Sequence, residues 1–254
     1  MIKFFRKIRQ NLLMENKTGK YFKYAIGEIV LVVVGILIAL QINNWNEQQK
    51  IYDNQEKYLM LLKTEALNNL KEIEKATNFA NNLNIWQIKV FELIDANQDT
   101  ITEYYLSKVF KNAFINTYSF KYENSVLSEL KSSGDLKNIL NDSLRKQLIA
   151  LEPLVLSVKG QEKDVKQDFE DINDYIKSNG SFRTIVDDNG PNNLIGITKS
   201  THNNSSNIHL LAKDEFENNL IFYTGTNKNL VINHYPRLEN HLNKIIEIIE
   251  LEKK

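Results

Sequence analysis

The sequence has no cysteine, and only three prolines and nine glycines in 254 residues. Without cysteine there is no disulfide framework, no thiolate zinc site, no cysteine nucleophile and no lipid-anchored cysteine. No sign of charge is in excess. The 32 Lys+Arg balance 32 Asp+Glu, which argues against a nucleic-acid binder as a whole-chain average. Chemical signatures are also missing: there is no HExxH, phosphate-binding glycine loop, GxSxG or Rossmann fingerprint. Asp187-Asp188-Asn189-Gly190 lacks the alternating ligands and closing glutamate of a calcium loop. His234 and His241 are seven apart, but Pro236 intervenes and no carboxylate stands at a ligand spacing. With His202 and His209 they read as surface or packed histidines. The expectation is therefore no cofactor, no metal and no enzyme. At 42% hydrophobic the chain can still build a core, so it is not a disordered tail.

What is present is a long apolar run. Ile29 to Leu40 is unbroken, flanked by Glu28 and Gln41. Tyr24 to Trp45 as a helix measures about 31 Å, which matches the hydrocarbon thickness of a bilayer. Tyr21, Tyr24 and Trp45 fall where interfacial aromatics belong. Residues 24–45 thus read as a transmembrane helix. Before it, Lys3, Arg6, Lys7, Arg9, Lys17, Lys20 and Lys23 stand against Glu15 alone, a net +6. By the positive-inside rule residues 1–23 stay in the cytoplasm and residues 46–254 are exported. A cleaved signal peptide is the competing reading, but Leu37 and Ala39 make a poor cleavage pair and the basic region is long. An uncleaved signal anchor is expected. Ile2, Phe4, Phe5, Ile8, Leu12 and Leu13 recur at helical spacing among the basic residues, which suits an amphipathic helix on the inner leaflet.

Within the span, Glu28, Gly35 and Ala39 are spaced by seven and four and so share one stripe. Gly35-x-x-x-Ala39 is a small-xxx-small pair that lets a second helix approach closely. Glu28 is shallow enough to snorkel or to pair with Lys20 or Lys23. The partners expected are the bilayer, and either a membrane protein or a second copy docking along the span.

Several stretches carry a family resemblance. They are Phe4-Phe5-Arg6-Lys7-Ile8-Arg9-Gln10, Glu15-Asn16-Lys17, Tyr24-Ala-Ile-Gly-Glu-Ile, and Gly35-Ile-Leu-Ile-Ala-Leu-Gln-Ile-Asn-Asn-Trp-Asn46. Leu130-Lys-Ser-Ser-Gly-Asp-Leu136, followed by Ile139, Asn141 and Leu144, extends it. The chain resembles an uncharacterised family of single-pass membrane proteins common in Bacteroidota, closely over the first 50 residues or so and patchily beyond. The resemblance implies a Gram-negative inner membrane and a periplasmic C-terminal part. It implies no activity, ligand or catalytic residue.

Between Gly35 and Gly134 there is no glycine, and the first proline is Pro153, so this stretch favours helices over strands with turns. The spacing of Leu59, Leu62, Ala66, Leu70, Ile73, Ala76, Ala80 and Leu83 predicts one helix continuing from the membrane to about residue 96. Thr100 or Thr102 is placed to cap a second helix carrying Tyr105, Val109, Phe110, Ala113 and Phe114. A third runs from near Asn124 to a C′ glycine at Gly134. Leu144, Leu148, Leu151, Val155, Val158, Glu162, Val165, Phe169, Ile172 and Ile176 predict a fourth, with Asp142 as N-cap and Pro153 and Gly160 bending it without ending it. Glu162 is the only polar residue in that seam. Residues 178–207 are rich in Asn, Ser and Gly; around 180–207 the expectation is either a small hairpin, pairing Phe182–Val186 with Leu194–Thr198, or an irregular loop. Helix resumes at about 213–224, and a last helix carries Leu238, Leu242, Ile245 and Ile249. The fold expected is all-α: an N-terminal transmembrane helix continuing into an antiparallel helical bundle. The 33 asparagines are spread throughout and form no tract.

Two functional classes follow. The first is a membrane-anchored periplasmic interaction or scaffold protein. The second is a ligand-sensing bundle that signals through a partner, with Tyr104, Tyr105, Phe110, Phe114, Tyr118, Phe120 and Tyr122 as pocket or core residues. A hydrolase is disfavoured, since no nucleophile and base stand at a telling spacing.

Overall fold

The computed structural model describes residues 14, 18–189, 197–201 and 205–252. The expected amphipathic segment at the N-terminus lies almost wholly outside them. The chain divides into two compact units, residues 1–58 and residues 59–254. Among the described residues every regular element is helical.

The first helix, α1 (Thr18–Ile94), contributes to both units and ends close to the residue expected. In the first unit its apolar side chains point outward on every face: Leu31, Val32, Val33 and Val34, successively about 100° apart around the helix, are all exposed. The second unit has the opposite pattern. There Leu59, Leu62, Ala66, Ile73, Ala76, Ala80, Leu83 and Val90 form a single buried stripe, as an amphipathic helix requires.

Beyond α1 come α2 (Glu103–Phe114), α3 (Ser125–Ser133), α4 (Asp142–Asn179), α5 (Phe182–Asp188), α6 (Asp214–Asn229) and α7 (Tyr235–Glu252). Local chemistry explains their ends. Thr102 caps α2, its side chain accepting from the Tyr105 N–H at 3.3 Å. Gly134 closes α3 in the left-handed region, at φ 79°, where glycine is unstrained. The N-cap of α4 is Asn141 and not Asp142. Asn141 has extended backbone and accepts from the Leu144 N–H at 2.9 Å, whereas Asp142 is already helical and pairs with Arg145. The carboxylate still favours that end of the helix electrostatically. As expected, α4 runs unbroken through Pro153 and Gly160.

The expected hairpin is not there. Phe182–Asp188 is a helix, because Ser181 caps it through the Thr184 N–H at 3.1 Å and Arg183 pairs with Asp187 one turn on. Ile185 anchors it in the core. Of the second proposed strand, residues 194–196 lie outside the described residues and 197–198 have no regular structure.

Side-chain pairings set the directions of the bundle. Lys63 meets Glu250, while Ala80 and Asn84 meet Asn227, so α1 runs antiparallel to α6 and α7. Gln147 meets His241 and Asp168 meets Thr226, so α4 is antiparallel to them too. Hence α1 and α4 are parallel, and residues 95–141 form the crossover that a parallel pair needs. Between α6 and α7, Leu230–His234 is π-helical, with the Tyr235 N–H reaching back five residues to the Leu230 carbonyl. Pro236 offers no N–H to the Ile232 carbonyl, so the helix widens where a regular ladder would break anyway.

The main core gathers α2, the C-terminal turns of α4, α5 and the start of α6 around the buried rings of Phe110, Phe114 and Phe216, whose centroids lie 5.1 to 6.0 Å apart. Gly180 sits against this layer. A Cβ there would come within 2.6 Å of Asn207 Oδ1 and 2.8 Å of Leu210 Cδ1. Asn207 cannot retreat easily, because its fully buried amide accepts from the Ser181 N–H at 2.7 Å and donates to the Ser181 carbonyl at 3.0 Å. Gly180→Ala is expected to cost about 1–3 kcal/mol through overpacking. Urea unfolding of the purified chain checks it against Gly225→Ala inside α6, where a Cβ meets nothing within 4 Å and the change should instead stabilise by about 0.5–1 kcal/mol.

Candidate functional site

Two places stand out: the exposed apolar part of α1, and a cavity in the second unit around Glu162. In the first, the helix is long and apolar enough to cross a membrane, and none of its most apolar window is buried. Tyr24 and Trp45, the expected boundary aromatics, are both exposed. Glu28, Gly35 and Ala39 lie on one continuous helix and so share a face. Glu28 is partly covered, and a Cβ built on Gly35 meets nothing within 4 Å.

The cavity has a volume of about 270 Å³. Its floor is buried side chains of α1, α4, α6, the π-helical turn and α7: Leu83, Glu162, Tyr223, Asn227, Leu230 and Tyr235. Its rim is Phe79, Val165, Lys166 and the segment Thr117–Ser119, which has no regular structure. Phe79 and Tyr118 are in ring contact there, centroids 5.8 Å apart.

Glu162 is the hub. Its Oε1 accepts from the Phe120 N–H at 2.6 Å and from the Tyr235 hydroxyl at 2.9 Å, and its Oε2 from Lys159 Nζ at 2.8 Å. Lys159 also donates to the Phe120 carbonyl and lies over the Phe120 ring. A buried charge is tolerable only when paired and hydrogen-bonded in this way. One carboxylate therefore ties α4 to α7 and to the crossover.

The same device recurs along the crossover. Asn69 brackets Glu123, donating to its carbonyl at 2.7 Å and accepting from its N–H at 2.9 Å. Glu65 accepts from the Val126 N–H at 2.7 Å, the Leu127 N–H at 3.3 Å and the Ser125 hydroxyl, and so caps α3 from a different helix. Burial raises its pKa above the ordinary carboxylate value, while those three donors pull it back down. At the rim, Tyr118 donates to Glu72 at 3.0 Å, and Lys75 beside Glu72 holds that carboxyl below its usual range. Burial drives the Tyr223 and Tyr235 phenols well above the usual tyrosine value. The charges of Asp168 and Glu162 respectively add to the effect.

The aromatic set flagged in the sequence does not converge on one pocket. Phe110, Phe114 and Phe120 are core, Tyr104 and Tyr105 are exposed, and only Tyr118 reaches the cavity. Phe79, Tyr223, Asn227 and Tyr235 were not legible as site residues; the one hint was a lone carboxylate in the apolar seam of α4. Three histidines are accounted for by local contacts. His209 faces the Ser206 and Asn179 carbonyls, each at 2.8 Å; His241 faces the Gln147 carbonyl at 2.8 Å; His234 faces the Ser157 hydroxyl at 3.3 Å.

Over residues 28–152, just under half its length, the chain matches the model of a family of unknown function (DUF6090). The match takes in the whole apolar run from Ile29 to Leu40, the crossover and the first turns of α4. No curated protein and no solved structure matches the chain.

Glu162→Ala leaves the Tyr235 hydroxyl and the Phe120 N–H without their acceptor, and is expected to cost roughly 3 kcal/mol. Tyr235→Phe removes one hydrogen bond and is expected to cost about 1 kcal/mol. In the double variant the tyrosine change should add little, since its partner has gone. A double-mutant cycle by urea unfolding reads all three values.

Proposed function

We propose that the chain is a single-pass, membrane-anchored interaction protein. Residues 1–23 are cytoplasmic, residues 24–45 span the inner membrane of a Gram-negative cell as an uncleaved signal anchor, and residues 46–254 form a periplasmic helical domain. The observation that carries this reading is the apolar part of α1, exposed on every face. Apolar surface on that scale needs a lipid or protein cover, and a segment of this length is matched to lipid. The net +6 before it supplies the orientation.

The protein acts by association, not by catalysis. Its most buried carboxylates among the described residues, Glu65, Asp187 and Glu162, are committed to holding backbone and side-chain donors, which leaves them poor candidates for proton transfer. The stripe of Glu28, Gly35 and Ala39 is the face on which a second helix, from a partner or another copy, packs in the bilayer.

The absence of native cysteine makes the topology directly testable. Single-cysteine variants Met14→Cys and Lys163→Cys are exposed to a membrane-impermeant maleimide in cells with a permeabilised outer membrane. Lys163→Cys should be labelled at once, and Met14→Cys only after lysis. The reverse pattern, or equal labelling of both before lysis, contradicts the proposal.

A further inference from the structure

The cavity around Glu162 lies wholly within the second unit and is not used by the reading above. Its size, lining and charge together specify a kind of ligand. Engineered cavities of about 150 Å³ take up benzene, so about 270 Å³ accommodates one ring with a short substituent. The apolar lining of Phe79, Leu83, Val165 and Leu230 suits the ring, and the Phe79–Tyr118 pair at the rim offers aromatic faces and edges.

The charges decide the substituent. Glu162 is neutralised by Lys159 at 2.8 Å and its oxygens already take three donors. Glu72, beside the rim, has Lys75 at 2.6 Å. Neither carboxylate is left to attract a cation. Lys166 differs: it lines the opening, and its partner Glu170 is 3.4 Å away in an exposed pair one turn along α4. Such pairs contribute little, so a ligand anion can take the place of Glu170. Thr117 and Ser119 also line the opening, and each carries a hydroxyl that can donate. The π-helical turn points the same way. It sets Leu230 and Tyr235 into the floor, and such turns recur at functional sites.

We propose that this cavity binds a small aromatic carboxylate, its ring between Phe79, Tyr118 and the apolar floor and its carboxylate on Lys166. Calorimetric titration of the full chain in nanodiscs tests this with three ring acids: phenylacetate, 4-hydroxybenzoate and indole-3-acetate. Phenylacetamide and phenethylamine serve as the neutral and cationic counterparts of the first. At least one acid should bind saturably, phenylacetamide at least tenfold more weakly than phenylacetate, and the amine not at all. Lys166→Met should weaken acid binding about tenfold while leaving the amide unchanged, a split that unfolding would not produce. Val165→Trp should fill the cavity and abolish both. Failure of all three acids to bind, amine binding as tight as acid binding, or wild-type acid affinity in Lys166→Met overturns the proposal. None of these outcomes bears on membrane topology.

Discussion

Apolar side chains with nothing to cover them are the constraint on which the rest depends. In the first unit, α1 shows Val, Ile and Leu to its surroundings on all sides. Inside a water-soluble domain that arrangement would forfeit the main favourable term of folding. In a bilayer the same side chains are at home, and the helix satisfies all its own backbone hydrogen bonds. Past residue 58 the pattern narrows to one buried stripe, and the physics changes from solvation by lipid to burial against neighbouring helices. The proposed anchor and the proposed water-facing domain are two ways of hiding apolar surface, written into successive turns of one helix.

In the second unit the apolar stripes bring helices together, but polar side chains decide how the crossover lies. Because α1 and α4 are parallel, the chain must travel the length of the bundle between them, and residues 115–124 do so without regular structure. Their backbone groups are served by side chains from the flanking helices: Asn69 and Glu65 from α1, Glu162 from α4. Each is nearly buried, so each would be costly if left unpaired. Shared between elements, they specify where the crossover sits. That position creates the cavity, since Thr117–Ser119 forms one side of its rim.

Much of this was legible in the sequence, for identifiable reasons. The apolar run needed only its length, and α1 to α4 announced themselves through three-and-four spacing, Thr102 and Gly134. The one-residue error at Asn141 reflects two adjacent side chains of equal capping ability, which only the backbone conformation separates. The hairpin failed because Phe182 to Val186 is too short for periodicity to distinguish strand from helix; the Ser181 cap and the Arg183–Asp187 pair decided it. The cavity was hidden for a deeper reason. Its lining comes from segments as far apart as Phe79 and Tyr235, and their convergence depends on helix directions that no local pattern encodes. Glu162 was the single visible sign, and its partners Tyr235 and Phe120 were not readable from it.

The central claim is that the first part of α1 is solvated by lipid. Nitroxide labels placed one at a time at Val30, Val33, Ile36 and Ile38 of the full chain in nanodiscs, sites that include opposite faces of the helix, test it directly. Power-saturation measurements compare access of oxygen, which partitions into lipid, with access of a water-soluble nickel chelate. All four sites should be open to oxygen and closed to nickel, whichever face of the helix they occupy, with the greatest contrast at Val33 and Ile36. Nickel access at Val33 and Ile36, or access that alternates from face to face as on a helix lying in water against protein, would contradict it.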